Sequence, residues 1–480
     1  MSKILSNLIW RFLERCGAQG VTLIVSLILA RLLDPEVYGT VALVTVFITI
    51  VQVFVDSGLG TALIQKKNAD DLDFSSVFFF NLALCIAMYL ALFFAAPLIS
   101  AFYKMPDLTA IIRVLGLVIV FSGVKNVQQA YVSRNLLFKK FFFSTLTGTV
   151  AAAVIGIYMA YSGYGVWAIV FQMLVNTAVD TIILWIIVKW RPKMMFSLQR
   201  LKGLYSYGWK LLVSALIDTG FNKLQQMIIG KVYTKSSLAF YNQGEQYPLA
   251  IVSNINASID SVLLPVMSKA QDDPNAVKNM TRRAIKTSTY IIMPCMVGLG
   301  VCSEPLISLL LTDKWLPCVF FLRVFCFSYA FWPIHTANLN AINALGRSDL
   351  FLKLEIIKKI VVLLATLSTM FISVKAMACS VLATSILGQM INSWPNKKLM
   401  DYSYFEQVKD MLPQICLSLI MGILVYCVQF IGLDDIFTLL IQIPTGILIY
   451  WLLSKLLHID SYEFLIDSVK GLLNKKGGDI

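Results

Sequence analysis

Histidine is almost missing from this chain, with two residues in 480. With no HExxH pattern and no histidine cluster, the usual zinc-hydrolase arrangements are excluded and no metal site is expected. No GxxxxGKS or GxxxxGKT run occurs, so the chain carries no P-loop ATPase engine. The nine cysteines form no CxxC pair, which argues against a zinc module or a disulfide framework. Charge is scarce at 14% of residues, where an average soluble domain has about 25%. No polar stretch is long enough to fold into a catalytic domain. We therefore expect no catalytic residue, no cofactor and no enzyme.

What the chain has instead is apolar surface. Hydrophobic residues make up 58% and mean hydropathy is +0.75, more than a soluble core uses. The net charge of +13 would suit a nucleic-acid partner if it sat on one solvated domain. Here lysine and arginine fall in short runs between apolar stretches, as in membrane proteins, so no nucleic-acid partner is expected.

A helix needs about 20 apolar residues to cross the hydrocarbon core. About fourteen such runs can be read, at roughly 11–33, 37–64, 74–102, 108–132, 142–162, 164–188, 208–232, 236–266, 284–311, 317–345, 352–373, 376–395, 411–432 and 434–456. Asp34-Pro35, Pro106-Asp107, Gly163-Tyr164-Gly165 and Pro395-Asn396 are expected to end helices. The basic runs fall at every second loop: Lys66-Lys67, Lys139-Lys140, Lys189 to Lys210, Lys269 to Lys286, Lys397-Lys398 and Lys475-Lys476. That asymmetry predicts cytoplasmic N- and C-termini. The first span is read as retained, because Arg31 follows it directly and its apolar run is too long for a signal peptide.

The chain also repeats itself. Val55-Asp56-Ser57-Gly58-Leu59, ending in Asp70-Asp71, matches Ile259-Asp260-Ser261-Val262-Leu263, ending in Asp272-Asp273. Arg113-Val114 recurs as Arg323-Val324, and Arg134 with Leu137-Phe138 as Arg347 with Leu350-Phe351. The expected architecture is all-α and polytopic. Two pseudo-symmetric six-helix lobes cover 1–200 and 201–396, and 397–480 adds two transmembrane helices and a basic cytoplasmic tail. The basic segment at about 189–207 reads equally as an interfacial helix joining the lobes or as an ordinary cytoplasmic loop. Parallel repeats of this kind place a transport site between the lobes.

A charge at mid-span costs about 2.5–3.5 kcal/mol on insertion scales, so it faces a cavity or a partner. The intramembrane candidates are Arg11, Glu14, Arg15, Asp56, Lys125, Asp218, Lys223, Glu245, Asp260 and Arg323. Ser214, Asp218, Asn222 and Gln225 form one polar stripe at helical spacing, and Glu245, Asn256 and Asp260 share another face. Arg15 with Asp56, and Lys223 with Glu245, stand at matching depths and are expected to pair, either as structural bridges or as part of a substrate site. The cations Arg11, Arg15, Lys125, Lys223 and Arg323 suit an anionic headgroup. Asp56, Asp218, Asn222, Glu245 and Asp260 suit a polar cavity or ion coupling. His335 beside Asn338 is read first as a packing histidine and second as a proton site.

Several segments resemble a known family. Gln19-Gly20 followed by ILARLLDPEVYGTVAL (Ile28 to Leu43), DSGLGTALIQ (Asp56 to Gln65), LAFYNQGEQYP (Leu238 to Pro248) and INALGRSDLFLK (Ile342 to Lys353) resemble bacterial Wzx-type polysaccharide transporters. These belong to the multidrug/oligosaccharidyl-lipid/polysaccharide exporter superfamily. The resemblance implies a flippase for an undecaprenyl-diphosphate-linked glycan (O-antigen, capsule or exopolysaccharide repeat unit) in the bacterial inner membrane. It implies a cationic cavity between the lobes, proton or sodium coupling, and partners among membrane lipids and other polysaccharide assembly proteins. By type and depth, Arg15 and Lys223 fit the family's functional cations. A multidrug organic-cation antiporter of the same superfamily is the alternative, and a membrane polysaccharide polymerase a more distant one.

Overall fold

The computed structural model describes residues 3–56 and 58–476, without the side chains of residues 3–9, 11, 12, 15, 16, 204–208, 210, 211, 468, 469 and 471–476. It is all-helical among the described residues, and the chain divides into two compact units, residues 1–239 and 240–480.

The first unit holds α1 (Lys3–Leu32), α2 (Pro35–Asp56), α3 (Leu59–Gln65), α4 (Asp71–Tyr103), α5 (Leu108–Leu115), α6 (Leu117–Arg134), α7 (Phe138–Tyr161), α8 (Val166–Ile187), α9 (Leu198–Val232) and the first turn of α10 (Lys235–Ser268). The second holds the rest of α10, then α11 (Pro274–Val301), α12 (Ser303–Leu311), α13 (Cys318–Ala330), α14 (Trp332–Ala344), α15 (Ser348–Thr369), α16 (Val374–Met400), α17 (Tyr404–Cys427), α18 (Asp435–Leu456) and α19 (Asp460–Lys476). Large apolar side chains such as Phe94, Ile186, Phe371 and Phe430 point outward, the arrangement a bilayer solvates and water does not. This is a multi-pass membrane fold.

Eleven spans among the described residues are long and apolar enough to cross a membrane. Of the remaining three of the expected fourteen, α1 and α9 include residues whose side chains lie outside the described ones, and α15 falls short of that measure. Charge is the reason in α15, where Lys353, Glu355, Lys358 and Lys359 interrupt the apolar run. Four expected single spans are broken: 37–64 between α2 and α3, 108–132 between α5 and α6, 284–311 between α11 and α12, and 317–345 between α13 and α14. Gly116 separates α5 from α6, where a Cβ would lie 2.8 Å from the Ile112 carbonyl oxygen. Pro333, which has no N–H to donate, opens α14 just after the end of α13. Conversely Pro395-Asn396 does not end its helix: α16 continues to Met400 and stops at Asp401, whose φ is +49°.

The repeat-related acids do the same local work in each unit. Asp70 caps α4 by accepting from the Asp73 N–H at 3.0 Å, and Asp273 caps α11 by accepting from the Asn275 and Ala276 N–H groups. Within the first unit, α7 packs closely on α8 along Gly148, Ala152, Gly156 and Ala160, a small-residue stripe at four-residue spacing. A Cβ on Gly148 would sit 2.8 Å from the Asn176 carbonyl oxygen and 3.0 Å from Cβ of Asp180.

The basic linker at 189–207 is not a separate interfacial helix. Its first part, 188–197, is an irregular strap, and from Leu198 it runs straight into α9. The strap is tied to the start of α4: Lys193 reaches Asp71 at 2.6 Å, its N–H donates to Ser75 Oγ at 3.0 Å, and the Ser197 N–H donates to Ser76 Oγ at 2.9 Å.

Candidate functional site

In the first unit, three charged side chains of the spans, Lys125, Asp180 and Asp56, gather around α6. Lys125, at the middle of that helix, places Nζ 3.0 Å from Oδ2 of Asp180 on α8. Both side chains are mostly buried, at 17% and 12% exposure. Asp56, at the end of α2, is hydrogen-bonded with Gln52 and lies within electrostatic reach of Lys125. Asp180 was missed in the sequence. A lone acid inside an apolar run was the signal available. The side chains of Arg11 and Arg15 lie outside the described residues, so the expected Arg15–Asp56 pair does too.

α9 exposes three residues of its predicted polar stripe and buries the fourth, Gln225. Asn222 donates to Asp218 at 3.0 Å, and Ser214, Asp218 and Asn222 are all exposed, with Lys223 half-buried beside them. Lys223 belongs to the first unit and Glu245 to the second. Within the second unit, Glu245 accepts a hydrogen bond from the Tyr329 hydroxyl of α13 at 2.6 Å. Asp260, about four turns further along α10, accepts from the Asn340 amide of α14 at 2.8 Å. α10 also exposes Ser253, Asn254, Ser258 and Ser261.

Arg323 fastens α13 to the junction of α11 and α12. Its Nε donates to the Gly300 carbonyl at 3.2 Å and to Ser303 Oγ at 3.0 Å, and Nη2 lies 3.4 Å from Glu304. Its repeat counterpart Arg113 does likewise, donating from Nε to the Phe93 carbonyl at 3.3 Å with its guanidinium 4.1 Å from that ring's centre.

A cavity of about 370 Å³ opens between α13–α14, α15 and α16 in the second unit. His335, Tyr329, Glu355 and Lys358 line it, with Glu355 and Lys358 paired at 2.5 Å. His335 Nδ1 meets the Asn392 amide nitrogen of α16 at 3.1 Å, not Asn338. Asn338 instead belongs to a separate buried network with Gln407 at 2.9 Å and Asn396 at 2.6 Å. Gly388 makes room for the cavity's charged wall: a Cβ there would stand 3.3 Å from His335 Cε1 and 3.6 Å from Lys358 Cδ. Glu355, Lys358 and Asn392 escaped the sequence reading. The first two sit near a span's start, where charge is ordinary, and Asn392 is 57 residues from its partner.

The family model described as Polysaccharide biosynthesis protein matches residues 28–320. The chain is similar to the succinoglycan biosynthesis transport protein ExoT of Rhizobium meliloti (strain 1021), 24% identical over 64% of this chain and 63% of that protein. It is also similar to the lipopolysaccharide biosynthesis protein WzxC of Escherichia coli (strain K12), 22% identical over 74% of this chain and 73% of that one. The chain thus spans less than two thirds of the length of the first of these relatives. Among solved structures, the inward closed conformation of the lipid II flippase MurJ superposes with a TM-score of 0.75 at 18% identity, covering 95% of this chain and 99% of that one. At that identity the likeness describes the fold.

Proposed function

This chain belongs to the polysaccharide biosynthesis protein family, as a Wzx-type member, and from that membership we propose that it is a flippase for undecaprenyl-diphosphate-linked oligosaccharide repeat units. It would move them from the inner to the outer leaflet of the bacterial inner membrane by alternating access, with both termini in the cytoplasm. The repeat units would be those of an O-antigen, capsule or exopolysaccharide, and the partners membrane lipid and other assembly proteins. The halves would run 1–200 and 201–396, followed by the two additional helices.

The observation that carries this reading is the exposed polar surface of α9 and α10. Ser214, Asp218 and Asn222 on one helix, and Ser253, Asn254, Ser258 and Ser261 on the other, face outward from segments of spanning length. Hydroxyls, amides and a carboxylate are not left against lipid tails; they line water or a polar cargo. A glycan is such a cargo, and moving it requires no chemistry, only a hydrated path with fixed charges for the diphosphate. We assign those charges to Lys223, Lys125, Arg15 and Arg11. Arg323, held by a carbonyl, a hydroxyl and a carboxylate, is assigned a fastening role. Proton or sodium coupling is part of the proposal, with the His335 cavity as its place.

The test is reconstitution in proteoliposomes with undecaprenyl-diphosphate-linked oligosaccharide on the inner face, reading its appearance to an external lectin. Flipping that Lys223→Ala lowers at least tenfold supports the reading. Proton-driven uptake of organic cations with the glycolipid left in place overturns it in favour of the antiporter.

A further inference from the structure

One face of α11 changes character along its length. Its first turns present Asn279, Arg282, Arg283, Lys286 and Thr287 to a pocket of about 240 Å³, closed on the other side by the first turn of α19. One turn past Thr287, the same helix begins to line a second, larger groove of about 670 Å³ against α17 and α18. Tyr290, Pro294, Cys295 and Gly298 form this helix's side of the groove. Arg283, Thr287, Tyr290, Pro294 and Gly298 lie on a single face, so the polar pocket and the apolar groove follow each other along one line. From Tyr290 to Cys302 the groove runs about 18 Å at helical rise. That is about one leaflet of a hydrocarbon core roughly 30 Å thick.

The polar pocket is cationic in a particular way. Arg282 is tied to Asp410 at 2.7 Å, and Lys286 to Asp460 at 3.0 Å. Arg283 stacks on the Phe464 ring at 4.0 Å and has no carboxylate partner among the described residues. A guanidinium held flat by an aromatic ring, with its N–H fork uncommitted, suits a phosphate. The charge distribution puts this end of α11 on the cytoplasmic side, where the leaflet is rich in anionic lipid.

We propose that this composite site holds an anionic phospholipid of the cytoplasmic leaflet, its phosphate on Arg283 and an acyl chain in the α11–α18 groove. The site is separate from the flippase reading and stands without it. An anionic head and an apolar tail, in that order along α11, are what the two chambers complement; between them the Tyr290 hydroxyl donates to Ser454 Oγ at 2.9 Å and the Tyr290 carbonyl accepts from the Tyr450 hydroxyl at 2.8 Å. The bound lipid would brace the additional helices α17 to α19 against α11.

The experiment is native mass spectrometry of the full chain in mild detergent, titrated separately with phosphatidylglycerol, phosphatidylethanolamine, undecaprenyl diphosphate and inorganic phosphate. Saturable adducts of phosphatidylglycerol are expected, weakened about tenfold by Arg283→Ala, the scale of one lost charge-assisted contact. Gly298→Trp, at a position where a Cβ meets nothing within 4 Å, should fill the groove and weaken the same adduct. Equal adducts of phosphatidylethanolamine overturn the headgroup assignment. Displacement by inorganic phosphate, or binding of undecaprenyl diphosphate where phosphatidylglycerol does not bind, overturns the phospholipid. Binding unchanged in both variants overturns the site.

Discussion

Lys125 and Asp180 face each other across α6 and α8 with nitrogen and oxygen 3.0 Å apart, each largely withdrawn from the surface. Removing one partner leaves the other charged and uncompensated inside the bundle. Lys125→Ala or Asp180→Ala should therefore each destabilise by about 3 kcal/mol, read as a lowered melting temperature in detergent. The double variant Lys125→Leu/Asp180→Leu should recover most of that loss. Export separates the roles. If the pair only braces helices, the charge swap Lys125→Asp/Asp180→Lys restores both stability and export; if Lys125 touches the diphosphate, the swap folds and stays inactive.

Arg134 ends α6 by reaching back to the end of α3. Its Nη1 donates to the Leu63 carbonyl at 2.6 Å and the Lys66 carbonyl at 2.5 Å, and Nη2 to the Lys67 carbonyl at 2.8 Å. Three carbonyls that no helix satisfies are gathered by one planar fork. A lysine has the charge but not the fork. Arg134→Lys should cost nearly as much as Arg134→Ala, about 1.5–3 kcal/mol, in a thermal or denaturant unfolding series. A lysine variant as stable as the parent would show that charge alone suffices.

The strap that precedes α9 should loosen in acid. The Asp70 carboxylate accepts from the backbone N–H of Asp73 and has Arg200 nearby, and these hold its pKa below the usual carboxylate range. A carboxylate depressed in the folded state contributes stability above its unfolded pKa, near 4, and loses it as pH falls toward the folded value. Hydrogen exchange across residues 188–200 should accelerate as pH drops below about 4, after correction for intrinsic exchange. Asp70→Asn should flatten that pH dependence. An unchanged profile in the variant would place the titrating group elsewhere.

Much of this fold was written in the pattern of apolar runs, and the exceptions have local causes. Asp34-Pro35 and Gly163-Tyr164-Gly165 end helices because proline and positive-φ glycine act on the backbone directly, with Gly163 at φ +79° and Gly165 at +55°. Pro395 misled because its effect depends on context: α16 carries on past it, and Asn396 is held in place by Asn338. The strap at 188–197 was unreadable as such, since its shape comes from Asp71, Ser75 and Ser76 more than a hundred residues earlier. The site shows the same divide. Lys125 stood out as a cation in an apolar run, and the stripe on α9 as a period. The partnership of His335 with Asn392, and the pairing of Lys125 with Asp180, are tertiary facts with no sequence period behind them.

Gly388 gives the sharpest handle on the second-unit cavity, because it acts by size and not by charge. A Cβ there would press on His335 Cε1 at 3.3 Å and stand in ordinary contact with the Lys358 stem at 3.6 Å. Gly388→Ala asks the His335 ring to give by a few tenths of an ångström and should be tolerated. Gly388→Val forces the imidazole or the Lys358–Glu355 pair out of place and should cost about 1–3 kcal/mol by overpacking. If the cavity couples an ion to transport, the valine variant should also lose the dependence of glycolipid flipping on an imposed pH or sodium gradient, while the glycolipid still binds. A valine variant that folds less well but flips with the same gradient dependence would make this cavity a packing feature and send the coupling site elsewhere. The gradient dependence in proteoliposomes therefore distinguishes the two roles where stability alone does not.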